Sequence, residues 1–140
     1  MLGRYVSHSL VIVLRALPDA LVGFFGLVAA GILLKHKGFP CLYRRVRSWP
    51  LGETGNVDRN VVERICSTVD KASLYCLRHV GCLRRSAVTT CLLRFRGVPA
   101  QLVIGVRKSP FESHAWVEVS GQVVSDHTNV RQYYSVVDLC

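Results

Sequence analysis

The spacing of apolar positions changes period partway along the chain. In NVDRNVVERICSTVDKASLYCLRHVG, residues 56–81, Val61, Ile65, Val69 and Ala72 recur at helical spacing with charged residues between them. This predicts a helix from about Asp58 to Leu77. CLRRSAVTTCLLRFRG predicts a second helix, Cys82 to about Phe95, stopped by Gly97 and Pro99, with Leu83, Ala87, Val88, Cys91 and Leu92 on one face. From there the period becomes two. Ala100, Leu102, Ile104 and Val106 alternate with Gln101, Val103 and Gly105 as in a strand. SPFE is a turn, and SHAWVEV is the next strand. His114, Trp116 and Glu118 face one side of it and Ala115, Val117 and Val119 the other. SGQ reads as a hairpin turn, VVSD as the start of a third strand, and RQYYSVVDLC as a last strand or a cover for the sheet. Helices followed by an antiparallel meander make an α+β arrangement.

Ahead of these elements lies LVIVLRALPDALVGFFGLVAAGILLKHKG, interrupted by Arg15, Pro18 and Asp19. It predicts two short helices, about Tyr5 to Leu17 and Pro18 to Lys35, with Pro18 in a first turn where its missing N–H is harmless. The uninterrupted run from Ala20 to Leu34 is 15 residues, short of the ~20 that a spanning helix uses. These apolar faces are expected to pack on the rest of the chain or on a partner, with membrane-surface association or insertion as the alternative. A basic linker punctuated by Pro and Gly, KGFPCLYRRVRSWPLGETGN, is expected to follow. Residues 1–50 thus read as an apolar and basic helical region, and residues 51–140 as the domain that carries the chemistry.

At 140 residues the chain suits one domain with a modest core. Half of its residues are hydrophobic, its mean hydropathy is +0.29, its net charge is +9 and its pI about 9.7. Such a charge favours an acidic partner. The basic residues stand singly or in pairs, with no long tract and no nucleic-acid motif, which argues against nucleic acid. The six cysteines, at 41, 66, 76, 82, 91 and 140, include no C-x-x-C pair. They read as reduced thiols in a cytoplasmic protein.

A cysteine nucleophile needs a partner that favours the thiolate and a site that holds a developing oxyanion. A helix amino terminus supports both through its dipole and its free N–H groups. Of the six, Cys82 stands at a predicted helix start, directly after a glycine. His114 on the second strand is placed to act as base. Asp126, at the end of the next strand, returns close enough to orient it. Each residue has a plainer interpretation. A strand histidine is ordinarily structural or exposed, Cys82 alone reads as packing, and Asp126 as a turn residue. The catalytic interpretation rests on all three occurring in this order. His127 is a rival base beside a turn, whereas His8, His36 and His79 lack a strand context.

The string CLRRSAVTTCLLRFRGVPAQLVIGVRKSPFESHAWVEVSGQVVSD also resembles the transglutaminase-like leader peptidase of lasso-peptide biosynthesis. The resemblance rests on a Cys-Leu opening a helix, the strand A-x-L-x-I-G-V-R, then H-A-W-V-E and a following aspartate. It covers Cys82 to Asp126, roughly a third of the chain. It implies a papain-like cysteine peptidase core in which a nucleophile at a helix amino terminus packs on a small antiparallel sheet. Cys82 would then be the nucleophile, His114 the general base and acid, and Asp126 its orienting partner, with the backbone N–H groups of Cys82 and Leu83 holding the oxyanion. It implies no cofactor and no metal. The expected partners are a leader–core precursor peptide, a separate leader-recognition protein and a macrolactam synthetase. Trp116 is expected to shield the imidazole or line the substrate groove, or else to pack beneath the amino-terminal helices. Arg107 is expected to receive an acidic group of the peptide or to end its strand in solvent. Glu112 flanks His114 as a further substrate contact. A transglutaminase-type acyl transferase and a non-enzymatic membrane-associated adaptor are the competing functions.

Overall fold

The computed structural model describes residues 17–51, 55–76 and 79–140. The helix expected over residues 5–17 lies outside them apart from Leu17, as does Leu77. The described elements are α1 (Asp19–Lys37), α2 (Phe39–Ser48), α3 (Arg59–Leu74), α4 (Cys82–Phe95), β1 (Ala100–Lys108), β2 (Phe111–Val119), β3 (Gln122–Val123), α5 (Val130–Tyr133) and β4 (Ser135–Leu139).

The strands form one antiparallel sheet in the order β3-β2-β1-β4. The alternation from Ala100 onward is realised directly. Ala100, Leu102, Ala115, Val117 and Val119 enter the main core beneath the helices. Val103 and Trp116 face the other way, into a second cluster with Val130. Ser120 and Gly121 turn the β2–β3 hairpin with φ of 51° and 76°, the left-handed pair that a tight hairpin requires. The tail supplies the fourth strand, preceded by the single turn α5.

α4 is the central rod. It touches α1, α2 and α3 as well as β1 and β2, and from Ser86 to Arg94 only Cys91 escapes full burial. Its buried polar groups are all bonded. Thr89 and Thr90 donate to the carbonyls of Arg85 and Ser86, at 2.9 and 2.8 Å. Arg94 donates from Nε to the Ala100 carbonyl at 2.7 Å and from Nη1 to those of Val46 and Trp49 at 2.8 and 3.2 Å. A single guanidinium thereby joins the carboxyl end of α2 to the start of β1. Burial pulls its pKa down. α3 begins at its cap Asp58, whose side chain accepts from the Asn60 amide at 2.9 Å, and it buries Val62, Ile65, Cys66, Val69 and Ala72.

The segment expected to be a linker contains α2. Pro40 stands at the start of that helix, where proline is tolerated, and Leu42 and Val46, four apart, bury one face. The spacing is helical, but Gly38, Pro40 and the arginines obscure it. α1 begins one residue after Pro18 and is long and apolar enough to cross a membrane. Gly23, Leu27 and Ala30 are nevertheless buried, with Gly23 beside Val69 of α3 and Gly26 beside Val88 of α4. Leu21, Phe25 and Ile32 are exposed. Asp19, in its first turn, holds Arg96 at 2.9 and 2.6 Å, which fastens α1 to the far end of α4. A groove of about 500 Å³ lies between α1, α2 and α4, and none of Cys82, His114 and Asp126 lines it.

Candidate active site

Cys82 is the first residue of α4. Gly81 before it is extended (φ −66°, ψ 162°) and offers no side-chain cap. The first N–H groups of a helix have no partner within it, so those of Cys82 and Leu83 are suited to an oxyanion. The helix start is fastened on two sides. Ser86 Oγ donates to the Ala115 carbonyl of β2 at 3.0 Å, and Arg84 Nε donates to the Leu27 carbonyl of α1 at 2.5 Å. The Ser86 bond lands one residue from His114.

His114 Nε2 and Asp126 Oδ2 are 2.5 Å apart, and both side chains are mostly buried. The carboxylate arrives through the β2–β3 hairpin. Glu118 pairs with Val123, Val124 N donates to the Val117 carbonyl at 3.0 Å, and Val117 N donates to Ser125 Oγ at 3.0 Å. Asp126 Oδ1 also accepts from the His127 amide at 2.7 Å. Burial opposes ionisation of Asp126, but the bonds from His114 and His127 outweigh it and hold its pKa below the ordinary value. With Nε2 engaged by Asp126, Nδ1 is the ring nitrogen left to exchange a proton with a thiol. No hydrogen bond joins Cys82 to His114 among the described residues. Tyr134 lies against the imidazole, with the ring centres 5.1 Å apart.

The face of the sheet around His114 is aromatic. Trp116 is fully buried, and its ring is stacked 6.1 Å from the imidazole at 28°. It therefore backs the histidine and does not pack beneath the amino-terminal helices. The reason is register: β2 turns Trp116 away from α4, toward the cluster closed by Val130 and Tyr134. Gly105, opposite His114, makes this stacking possible, because a Cβ there would meet the indole at 2.6 and 2.7 Å. Arg107 and Glu112 are cross-strand partners and form an ion pair. The Arg107 guanidinium also lies 5.5 Å from the Tyr134 ring centre, so this strand end is tied in rather than free in solvent. Loss of water and then the Glu112 carboxylate push the Tyr134 hydroxyl pKa up. Tyr134 is marked in the sequence only as half of an aromatic pair ahead of the last strand. His127 is exposed and donates its backbone amide to Asp126.

The remaining thiols are free. Burial pushes Cys66 and Cys91 up to about 11 and also raises Cys140. Cys41 lies in α2 rather than in a linker.

A family model described as the transglutaminase-like superfamily matches residues 26–138. Over 56 residues the chain is 50% identical to the Microcin J25-processing protein McjB of Escherichia coli. That stretch is 40% of this chain and 27% of the relative, so the chain matches about a quarter of the relative's length. No solved structure matches. The family match begins within α1, ends within β4 and takes in Cys82, His114 and Asp126. The helices packed on a small antiparallel sheet agree with it, and the chain belongs to the transglutaminase-like superfamily.

Proposed function

We propose that the chain is a cysteine peptidase that removes the leader from a ribosomally made lasso-peptide precursor in the cytoplasm. The observation that carries this is the 2.5 Å contact of His114 with Asp126, on the strand to which Ser86 fastens the helix that begins at Cys82. Similarity to a protein named for processing microcin J25 supports the choice of substrate. The Cys82 thiolate attacks the carbonyl at the leader–core junction, and the N–H groups of Cys82 and Leu83 hold the oxyanion. His114 protonates the leaving amine, which is the new amino terminus of the core. Water then adds to the thioester carbonyl and gives its proton to His114. Collapse expels the thiol and frees the leader as its carboxylic acid. Asp126 keeps the imidazole in the required orientation and tautomer. A separate leader-recognition protein presents the precursor, and a macrolactam synthetase takes the freed core.

The superfamily favours one competing function, acyl transfer to an amine in place of water. Incubation of the protein with a precursor and a leader-recognition protein, followed by mass spectrometry, separates the two. A shortened core with a new amino terminus supports the peptidase. A cross-linked or amide-exchanged peptide supports the transferase. An intact precursor under conditions where the three proteins bind one another refutes both.

A further inference from the structure

Glu118 is a carboxylate with 1% of its surface exposed, and the acyl-transfer steps above do not use it. It points to the same side of β2 as His114 and Trp116. Its Oε1 accepts from Trp116 Nε1 at 2.8 Å and from Arg131 Nε at 2.6 Å, while Oε2 accepts from Arg131 Nη2 at 2.6 Å. The two-pronged guanidinium contact fixes direction as well as charge.

Both arms of this carboxylate end next to the base and the acid. The Trp116 arm holds the indole that backs the imidazole. The Arg131 arm holds α5, which begins four residues after Asp126. On its other side the acid-bearing loop is fastened through Ser125 to the backbone of Val117. Asp126 therefore sits between two ties, and both are made to neighbouring residues of β2.

We infer that Glu118 is a positioning residue for the His114–Asp126 pair, setting the plane of the imidazole through Trp116 and closing the Asp126 loop through Arg131. Glu118 has no route to the substrate, so its influence is confined to where the base and acid stand. The inference takes the identity of the pair from the proposed function, and its test needs no peptide cleavage.

The test follows the ring N–H proton of His114 by NMR in the full-length wild-type protein and in Glu118→Gln, Arg131→Lys and Asp126→Asn, with circular dichroism as the check of folding. Glu118→Gln keeps an acceptor for Trp116 but cannot match both guanidinium donors. Arg131→Lys keeps the charge and loses the fork. The Arg131 side chain is half exposed, so this variant is expected to fold even where Glu118→Gln is not. Wild type is expected to show a downfield, slowly exchanging proton, and Asp126→Asn to lack it. In folded Glu118→Gln and Arg131→Lys its exchange with water should rise about tenfold, the scale on which outer partners of a ligating histidine act. A wild-type proton in either folded variant overturns the inference, as does absence of the proton from the wild type. Failure of the wild type to cleave any precursor while this pattern holds would refute the peptidase assignment alone.

Discussion

Nε2 of His114 and Oδ2 of Asp126 stand 2.5 Å apart, a ring and a carboxylate from positions 12 residues apart. The contact makes loss of the acid a graded injury. Cys82→Ala and His114→Ala are expected to abolish precursor cleavage. Asp126→Asn should retain activity about two orders of magnitude above them, in keeping with the unequal weight of triad members. Single-turnover cleavage by each folded variant checks this. Full cleavage by Cys82→Ala would remove the nucleophile from the mechanism.

Thiol reactivity offers a test without substrate. Cys66 and Cys91 are pushed up to about 11 by burial, and Cys140 is raised as well. Brief iodoacetamide treatment near neutral pH should therefore leave them unmodified and label Cys82 first, as mapped by peptide mass. Fast labelling at Cys66 or Cys91 would contradict the packing described here.

Gly105→Ala sets a methyl group 2.6 Å from the Trp116 ring and 3.0 Å from Cβ of Tyr134. Overpacking of this kind costs about 1–3 kcal/mol. The expected result is a lower urea midpoint with an altered near-ultraviolet tryptophan signal. Cleavage should fall by more than the loss of folded protein accounts for, because Trp116 backs the imidazole. An unchanged midpoint and signal would mean that the indole does not lie over residue 105.

Acid should loosen the site from the side of the carboxylates. Glu118 is held below its ordinary 4.5 by the Arg131 bond, against burial and with help from Trp116. Asp126 is held below 3.8 by His114 and His127, against burial. Each folded-state pKa is depressed, so each group stabilises the fold above its unfolded value and loses that contribution as pH falls through the folded one. Urea midpoints measured from about pH 5 down to pH 2 should drop in wild type and drop less in Glu118→Gln. Equal slopes would show that Glu118 does not hold Arg131 as a charged pair.

Much of the site follows from local pattern. A glycine before Cys82 marks the helix start, the period of two places His114 and Trp116 on one side, and the turn at Gly121 returns Asp126. What local pattern leaves out is which layer covers each side of the sheet. Alternation says that Trp116 and Ala115 part company, but only the assembled strand order says that α4 takes Ala115 and that α5 with Tyr134 takes Trp116. α2 was hidden for another reason: proline and glycine signal breaks, and a proline at a helix start gives the same signal as a proline in a loop. The partners of Glu118 are equally remote from local pattern, since Arg131 meets it across the β2–β3 hairpin.

The proposed nucleophile and the proposed partner of the imidazole rest on very different supports. Cys82 opens the helix against which α1, α2, α3, β1 and β2 all pack. Asp126 sits in a short connection whose next residues, His127 to Asn129, are exposed, and which is anchored beyond them by one turn of helix. Regions with few buried contacts open at lower free energy than the core. On warming, the protein is therefore set to pass through a stage in which its fold is intact and its thiol is in place, but its imidazole has lost its carboxylate. Inactivation by heat should precede melting, and cooling from that stage should restore activity without refolding.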